Sequence, residues 1–168
     1  KMLLWQDPVL GHLEGDLDKL ALNKYYKDLH HQLNKAALKG GYNQFLDLPV
    51  KLSSVLAIKA ELHHNIKKAV LKNDTTYLKG IGLKEVTLLK KLIKELCLAH
   101  RKMWYRNFKP FGFEILEVRY GGMLIRLDAL EILIKTFLKD GETPAEFLVK
   151  AEPVYKEGLK HAYTYRRC

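Results

Sequence analysis

Residues 109–134, KPFGFEILEVRYGGMLIRLDALEILI, constrain the fold of this chain more than any other stretch. Ile115, Leu116, Val118, Leu124, Ile125, Leu127, Leu130, Ile132, Leu133 and Ile134 put an aliphatic residue on nearly every turn. An apolar set that wide exceeds a single helical stripe and predicts a helix surrounded by partners. Arg119 and Arg126 lie two turns apart and share one face of it. Gly121 and Gly122 interrupt the pattern at a cost of roughly 2 kcal/mol against alanine. Close approach of a neighbouring backbone would offset that cost, or the chain breaks into two helices there. Close approach is the expectation, with this helix as the structural axis; a plain kinked core helix is the alternative.

The chain has 168 residues, 48% of them hydrophobic, enough for one domain with a core. No apolar run approaches the roughly 18 residues of a membrane span, so a soluble protein is expected. No secretory signal is visible, which makes a cytoplasmic location the expectation, and the opening Lys1-Met2-Leu3 suggests a piece of something longer. Cys97 and Cys168 make no disulfide framework and are expected to be reduced thiols. No Cys/His spacing fits a zinc site, and no metal or cofactor is expected. The formal net charge of +10 raises nucleic acid and anionic membrane as partners. The lysines, however, are scattered at solvent-facing spacing with no compact basic stripe among aromatics. A solvated surface is the better reading, with neither nucleic acid nor membrane as partner. A free-standing basic nucleic-acid-binding module remains the alternative.

Residues 2–5, MLLW, form a short apolar run that Asp7-Pro8 ends, and they read as a strand end followed by a loop. Asp16 or Asp18 can cap a helix to about residue 38, which Gly40-Gly41 stops. Pro49 fits the first turn of a second helix reaching about residue 72. Residues 75–82 read as one short helical turn closed by glycines. A third long helix, about 83–107, carries Leu89, Leu92, Ile93, Leu96, Cys97, His100, Met103 and Trp104. Pro110 and Gly112 turn the corner into the central stretch, and Phe113 anchors it in the core. Asp140-Gly141 ends that stretch. A short helix follows, with Thr143 as cap and Pro144 at its first position. Helices of roughly 24 residues, about 36 Å long, with short connections pack as an antiparallel bundle. The expected fold is all-α, about five to six helices, with a short N-terminal strand remnant.

Searches for catalytic constellations return little. There is no glycine-rich phosphate loop, nucleophile turn or HExxH pair. The pairs His30-His31 and His63-His64 point about 100° apart on a helix, so neither chelates alone, and hydrogen bonding is the better reading. The doublets Tyr25-Tyr26 and Trp104-Tyr105 are assigned to core packing. Arg119 and Arg126 could bind an anion, but Glu117, Asp128 and Glu131 are available to pair with them. No Asp-Glu pair at a strand end supports glycoside hydrolysis. Trp5 and Asp7, two apart on a strand, would point the same way. An indole that stacks on a sugar ring beside a hydroxyl-accepting carboxylate suits carbohydrate.

Residues 100–130, HRKMWYRNFKPFGFEILEVRYGGMLIRLDAL, resemble the C-terminal helical domain of bacterial exo-β-N-acetylglucosaminidases of glycoside hydrolase family 20. Residues 3–11, LLWQDPVLG, resemble the end of the last strand of that family's (β/α)8 barrel and the exit from it. The resemblance is sharpest over W-x-x-x-x-KPFGFE-x-x-x-x-R-x-GG-x-x-x-R-L; residues 16–99 match in layout more than in motif. It implies a division into residues 1–12, the end of the barrel, and residues 13–168, the helical domain. It also implies a parent enzyme that removes terminal N-acetylhexosamine by a substrate-assisted retaining mechanism. There the substrate's acetamido group attacks the anomeric carbon, an Asp orients it, and an adjacent Glu is the general acid/base. That Asp-Glu pair is absent here and would lie upstream, so the chain alone is expected to be inert. Trp5 and Asp7 match the family's tryptophan-x-acid motif that lines the terminal sugar's pocket, although Asp replaces the Glu of other branches. The implied partners are the upstream barrel of the same chain, a second copy of the enzyme in a homodimer, and an N-acetylhexosaminide. The bundle's outer face is expected to dock on the barrel or on the second subunit, leaving an apolar patch when alone.

Overall fold

The computed structural model describes residues 2–11, 20–40 and 43–149. Its long helices are α2 (Leu22–Leu38), α3 (Asn43–Leu71), α5 (Leu83–Asn107) and α6 (Phe113–Asp140). Three short ones are α1 (Met2–Trp5), α4 (Thr75–Tyr77) and α7 (Ala145–Leu148). Short connections reverse the chain between long helices, so neighbours run antiparallel. α2 packs on α3, α3 on α5 and α5 on α6, while α1 lies against α3. The domain is all-α, as the periodicity predicts.

Three of the four long helices, α3, α5 and α6, each bury one stripe at 3/4 spacing. α3 supplies Val55, Leu62, Ile66, Ala69 and Val70; α5 supplies Val86, Leu89, Ile93 and Leu96. α6 supplies Tyr120, Met123, Leu127, Leu130, Ile134 and Phe137, and Val9 from the N-terminal segment joins the same cluster. α2 buries no residue and is the outlying layer. Gly112 and Gly141 bracket α6 in the left-handed region, with φ of 93° and 75°, conformations that glycine adopts without a Cβ penalty. The Gly141 N–H donates to Phe137 O at 2.9 Å and satisfies a terminal carbonyl.

Several expectations need correction. Residues 2–5 are helical, and the described residues contain no strand. A strand needs a partner ladder, whereas a helical turn satisfies its own backbone. Pro49 lies inside α3, which begins at Asn43. Proline there removes the donor for the Phe45 carbonyl, a residue 60% exposed and so open to water. Residues 75–82 do not stop a helix. Asp74 caps α4 by accepting from Tyr77 N at 2.9 Å. A π turn, Leu78–Gly82, then leads straight into α5, with Leu83 N–H donating to Leu78 O. Pro144, not Thr143, is the cap residue of the last short helix. Asp16, Asp18, Gly41 and Cys168 lie outside the described residues.

The largest correction concerns α6. It runs unbroken through Gly121 and Gly122, and a Cβ built at either glycine meets nothing within 4 Å. Among the described residues there is neither a break nor a close approach. The helix is also not surrounded, because Ile115, Val118, Ile125 and Ile132 are 60–75% exposed. Its excess of aliphatic residues makes a second, outward apolar face, and among the long helices its main packing is on α5 alone.

Candidate functional site: the edge where α6 holds the N-terminal segment

Trp5 and Asp7 are held by the two arginines that the sequence places on one face of α6. Arg126 Nε donates to Asp7 Oδ2 at 2.8 Å, and Nη2 donates to Oδ1 at 3.2 Å. A planar guanidinium gripping both carboxylate oxygens fixes orientation as well as position. Asp7 Oδ1 also accepts from Val9 N at 2.7 Å and Leu10 N at 3.1 Å, which folds residues 7–10 into a side-chain-capped turn. Burial pushes the Asp7 carboxyl up, but the Arg126 bond, the two backbone amides and the Arg126 charge outweigh it and hold it below its ordinary value. Asp7 is ionised at neutral pH, and among the described residues the guanidinium is the donor to Oδ2.

Arg119, two turns back, places its guanidinium 5.8 Å from the centre of the Trp5 ring. The same indole meets Tyr120 edge-on, with ring centroids 5.0 Å apart. Tyr120 is buried and shares a 3.1 Å hydrogen bond with His100 Nδ1. Burial lowers the His100 pKa and, together with the nearby Cys97, raises that of Tyr120, so the phenol stays protonated and can donate to a neutral imidazole. His100, Tyr120 and Trp5 thus form a continuous chain from α5 through α6 to the N-terminal segment.

Lys59 of α3 grips the segment from the other side. Its ammonium donates to Gln6 O at 2.5 Å and Leu3 O at 3.2 Å. The residue is only 5% exposed, and burial lowers its pKa to about 7, against the opposing charge of Asp7. Sequence reasoning passed over Lys59, yet the signal was present: Val55, Lys59, Leu62 and Ile66 keep 3/4 spacing, so a lysine stands on the buried stripe.

The acids that the sequence offered to the arginines are engaged elsewhere. Asp128 and Glu131 both pair with Lys90 at 2.5 Å, and Glu117 faces Arg101 at 3.6 Å. Trp5 and Asp7 do not share a strand face, because Trp5 ends a helix; their common platform is α6. Pro110 is exposed in the corner. Gly112 N donates to Glu114 Oε2 at 2.7 Å, and Trp104 Nε1 to Lys109 O at 3.0 Å. A Cβ at Gly112 would stand 3.4 Å from Trp104, and Phe113 is fully buried as expected. His30 makes the expected interhelical bond, with Nδ1 3.1 Å from Val50 O. Tyr25 and Tyr105, at 59% and 48% exposed, are not core residues. Among the described residues no group of three or more His, Cys, Asp and Glu could hold a metal ion, and no helix is long and apolar enough to cross a membrane.

The all-helical array thus grips its own N-terminal segment through three cationic side chains, Lys59, Arg119 and Arg126. The sequence matches the family model described as the glycoside hydrolase 20C C-terminal domain over residues 1–162, and the chain belongs to that family. It is the helical accessory domain of a family 20 glycoside hydrolase. A search of curated proteins found no match to the sequence.

Proposed function

We propose that this domain completes the sugar site of a β-N-acetylhexosaminidase whose catalytic residues lie upstream in the same chain, and that the domain alone is inert. Residues 1–12 would be shared with the barrel, with Trp5 stacking on a terminal N-acetylhexosamine and Asp7 accepting its hydroxyls. The observation that carries this reading is the Asp7 carboxylate. It is ionised, fixed in direction, and has a lone pair of Oδ2 left for a further donor. The ridge Ile115, Val118, Gly122, Ile125, Ala129 and Ile132 supports docking of the upstream domain. It runs at 3/4 spacing along α6, and its adjoining edge carries the N-terminal segment through which the chain arrives.

A second reading, in which the ridge pairs two copies in a homodimer, has one observation in its favour. In an antiparallel pairing centred between Gly122 and Ile125, Ile115 of one copy falls opposite Ile132 of the other and Gly122 opposite Ile125, so the apolar ridge is self-complementary. The decisive experiment compares the purified domain and the full-length chain on a nitrophenyl N-acetylglucosaminide. Turnover is expected from the full chain only. A missing general acid/base by itself removes a typical factor of roughly 10²–10⁴. Release of nitrophenol by the domain above background would overturn the proposal.

A further inference from the structure

The Arg126–Asp7 pair joins residues 119 apart in sequence and ties the N-terminal segment to the edge of α6. Asp7 Oδ1 is saturated by Val9 N, Leu10 N and Arg126 Nη2, so the turn alone would set that oxygen. Oδ2 is different. Its described donor is Arg126 Nε at 2.8 Å. Without the guanidinium the carboxylate keeps its place in the turn but is free to rotate Oδ2 about the Oδ1 anchor. The charged groups facing Asp7 are Arg126 from α6 and Lys59 from α3, and Lys59 is occupied by the Leu3 and Gln6 carbonyls.

We propose that Arg126 is a positioning residue for the sugar site: by holding Asp7 Oδ2 it sets the direction from which a substrate hydroxyl is met, and so makes α6 of the helical domain part of substrate recognition. This rests on the reading that Asp7 contacts the sugar. Arg126 itself touches no substrate. Arg119 over Trp5 is the parallel contact one face-repeat earlier, softer because a cation above an indole fixes distance more than angle. A role confined to holding the fold would make Arg126 replaceable by anything that restores stability. A positioning role requires the fork geometry and the charge together.

The test uses the full-length chain and kcat/KM against pH on a nitrophenyl N-acetylglucosaminide, with Asp7→Asn, Arg126→Gln, Arg126→Lys and the Asp7→Asn/Arg126→Gln double variant. Arg126→Gln is expected to lower kcat/KM by up to roughly a hundredfold, the size of effect that a misplacement of about 1 Å produces. The loss should fall mainly on KM. The acid limb of the profile should move to higher pH, because Asp7 loses the partner that holds its pKa down. Arg126→Lys should restore the position of the acid limb but only part of KM. The double variant should be no worse than Asp7→Asn alone, since Arg126 acts through Asp7. An unchanged kcat/KM in Asp7→Asn would show that Asp7 does not contact the sugar, and the underlying reading fails. A loss in Asp7→Asn with additive losses in the double variant, or with an unmoved acid limb in Arg126→Gln, would leave that reading standing and overturn the positioning role. Should Arg126→Gln fail to fold, Arg126→Lys decides: full recovery of KM by a lysine that cannot form the fork overturns the proposal.

Discussion

On its inner side α6 buries Leu127, Leu130 and Ile134 completely; on its outer side Ile115, Val118, Ile125 and Ile132 stand 60–75% exposed. The two faces are made of the same aliphatic residues on the same helix. What separates them is only which neighbour lies within reach: α5 and the N-terminal segment on one side, nothing among the described residues on the other. An apolar pattern therefore reports how much surface a helix is built to bury, and not whether its own domain buries it. The edge between the faces carries Arg119 and Arg126, which tie the N-terminal segment down. Among the described residues α6 is thus core on one side, anchor on its edge and bare on the other.

The sharpest way to break this comparison is to truncate one residue on each face of the isolated domain. Leu130→Ala removes a fully buried side chain and should cost about 3 kcal/mol, within the usual range of about 2–5. Ile125→Ala removes one that is 67% exposed and should shift stability by no more than about 0.5 kcal/mol. Urea unfolding of both variants measures it. Equal costs would mean that the outer face is packed in the isolated domain, and the contrast is wrong.

Next in size is the pH response of Lys59. Its folded pKa of about 7 lies below the unfolded 10.5, so between those values the unfolded chain binds more protons. Stability should therefore rise as pH climbs from about 7 towards 10.5, by at most about 1.4 kcal/mol per pH unit. Lys59→Met should flatten the rise, as thermal melts across that window would show. A slope retained in Lys59→Met would assign the pH response to another group and remove Lys59 from the anchor.

The edge pair should contribute less. Arg126 is 41% exposed and solvent screens it, so Arg126→Met should destabilise the isolated domain by only about 1 kcal/mol. Asp7 has a folded pKa below its unfolded 3.8. Its contribution is fully present above about pH 4 and is lost as pH falls through the folded value. Asp7→Asn should remove that acid-limb loss. An acid titration of wild type and variant that superimpose would mean the pair does not form in solution.

The all-α architecture, the helix ends at Gly40 and Gly141, and the KPFG corner were legible because local chemistry fixes them. Glycine supplies a positive φ at Gly112, and Phe113 has one direction in which to bury. The resemblance over residues 100–130 and 3–11 led to the family that the comparison confirms. What was not legible is long-range. Arg126 had Asp128 and Glu131 as near acids, but Lys90 on α5 holds both, and the carboxylate that Arg126 takes is 119 residues away. The strand assignment for residues 2–5 failed on the same ground, since a strand is defined by its partner and periodicity contains no partner. Glycine doublets are ambiguous for a similar reason: the backbone cost is visible in sequence, and whatever meets the bare Cα is not.

The smallest effect, and the one of opposite sign, belongs to Gly122. In the isolated domain this glycine lies in a regular helix with no positive φ and with open space where its Cβ would stand. Alanine there costs nothing in packing and lowers the entropy of the unfolded chain, so Gly122→Ala should stabilise the domain by about 0.4–1 kcal/mol. Gly122→Leu should be tolerated equally well, the reverse of what close helix packing requires. A destabilised melt for Gly122→Ala would mean that some part of the chain outside the described residues packs on the ridge. If the domain gains stability with Gly122→Leu while the full-length chain loses it, the small residue is kept for a surface that the upstream domain brings, and the bare face of α6 is an interface. If both gain alike, the ridge stays bare in the whole enzyme, and the contrast between the two faces of α6 says nothing about a partner.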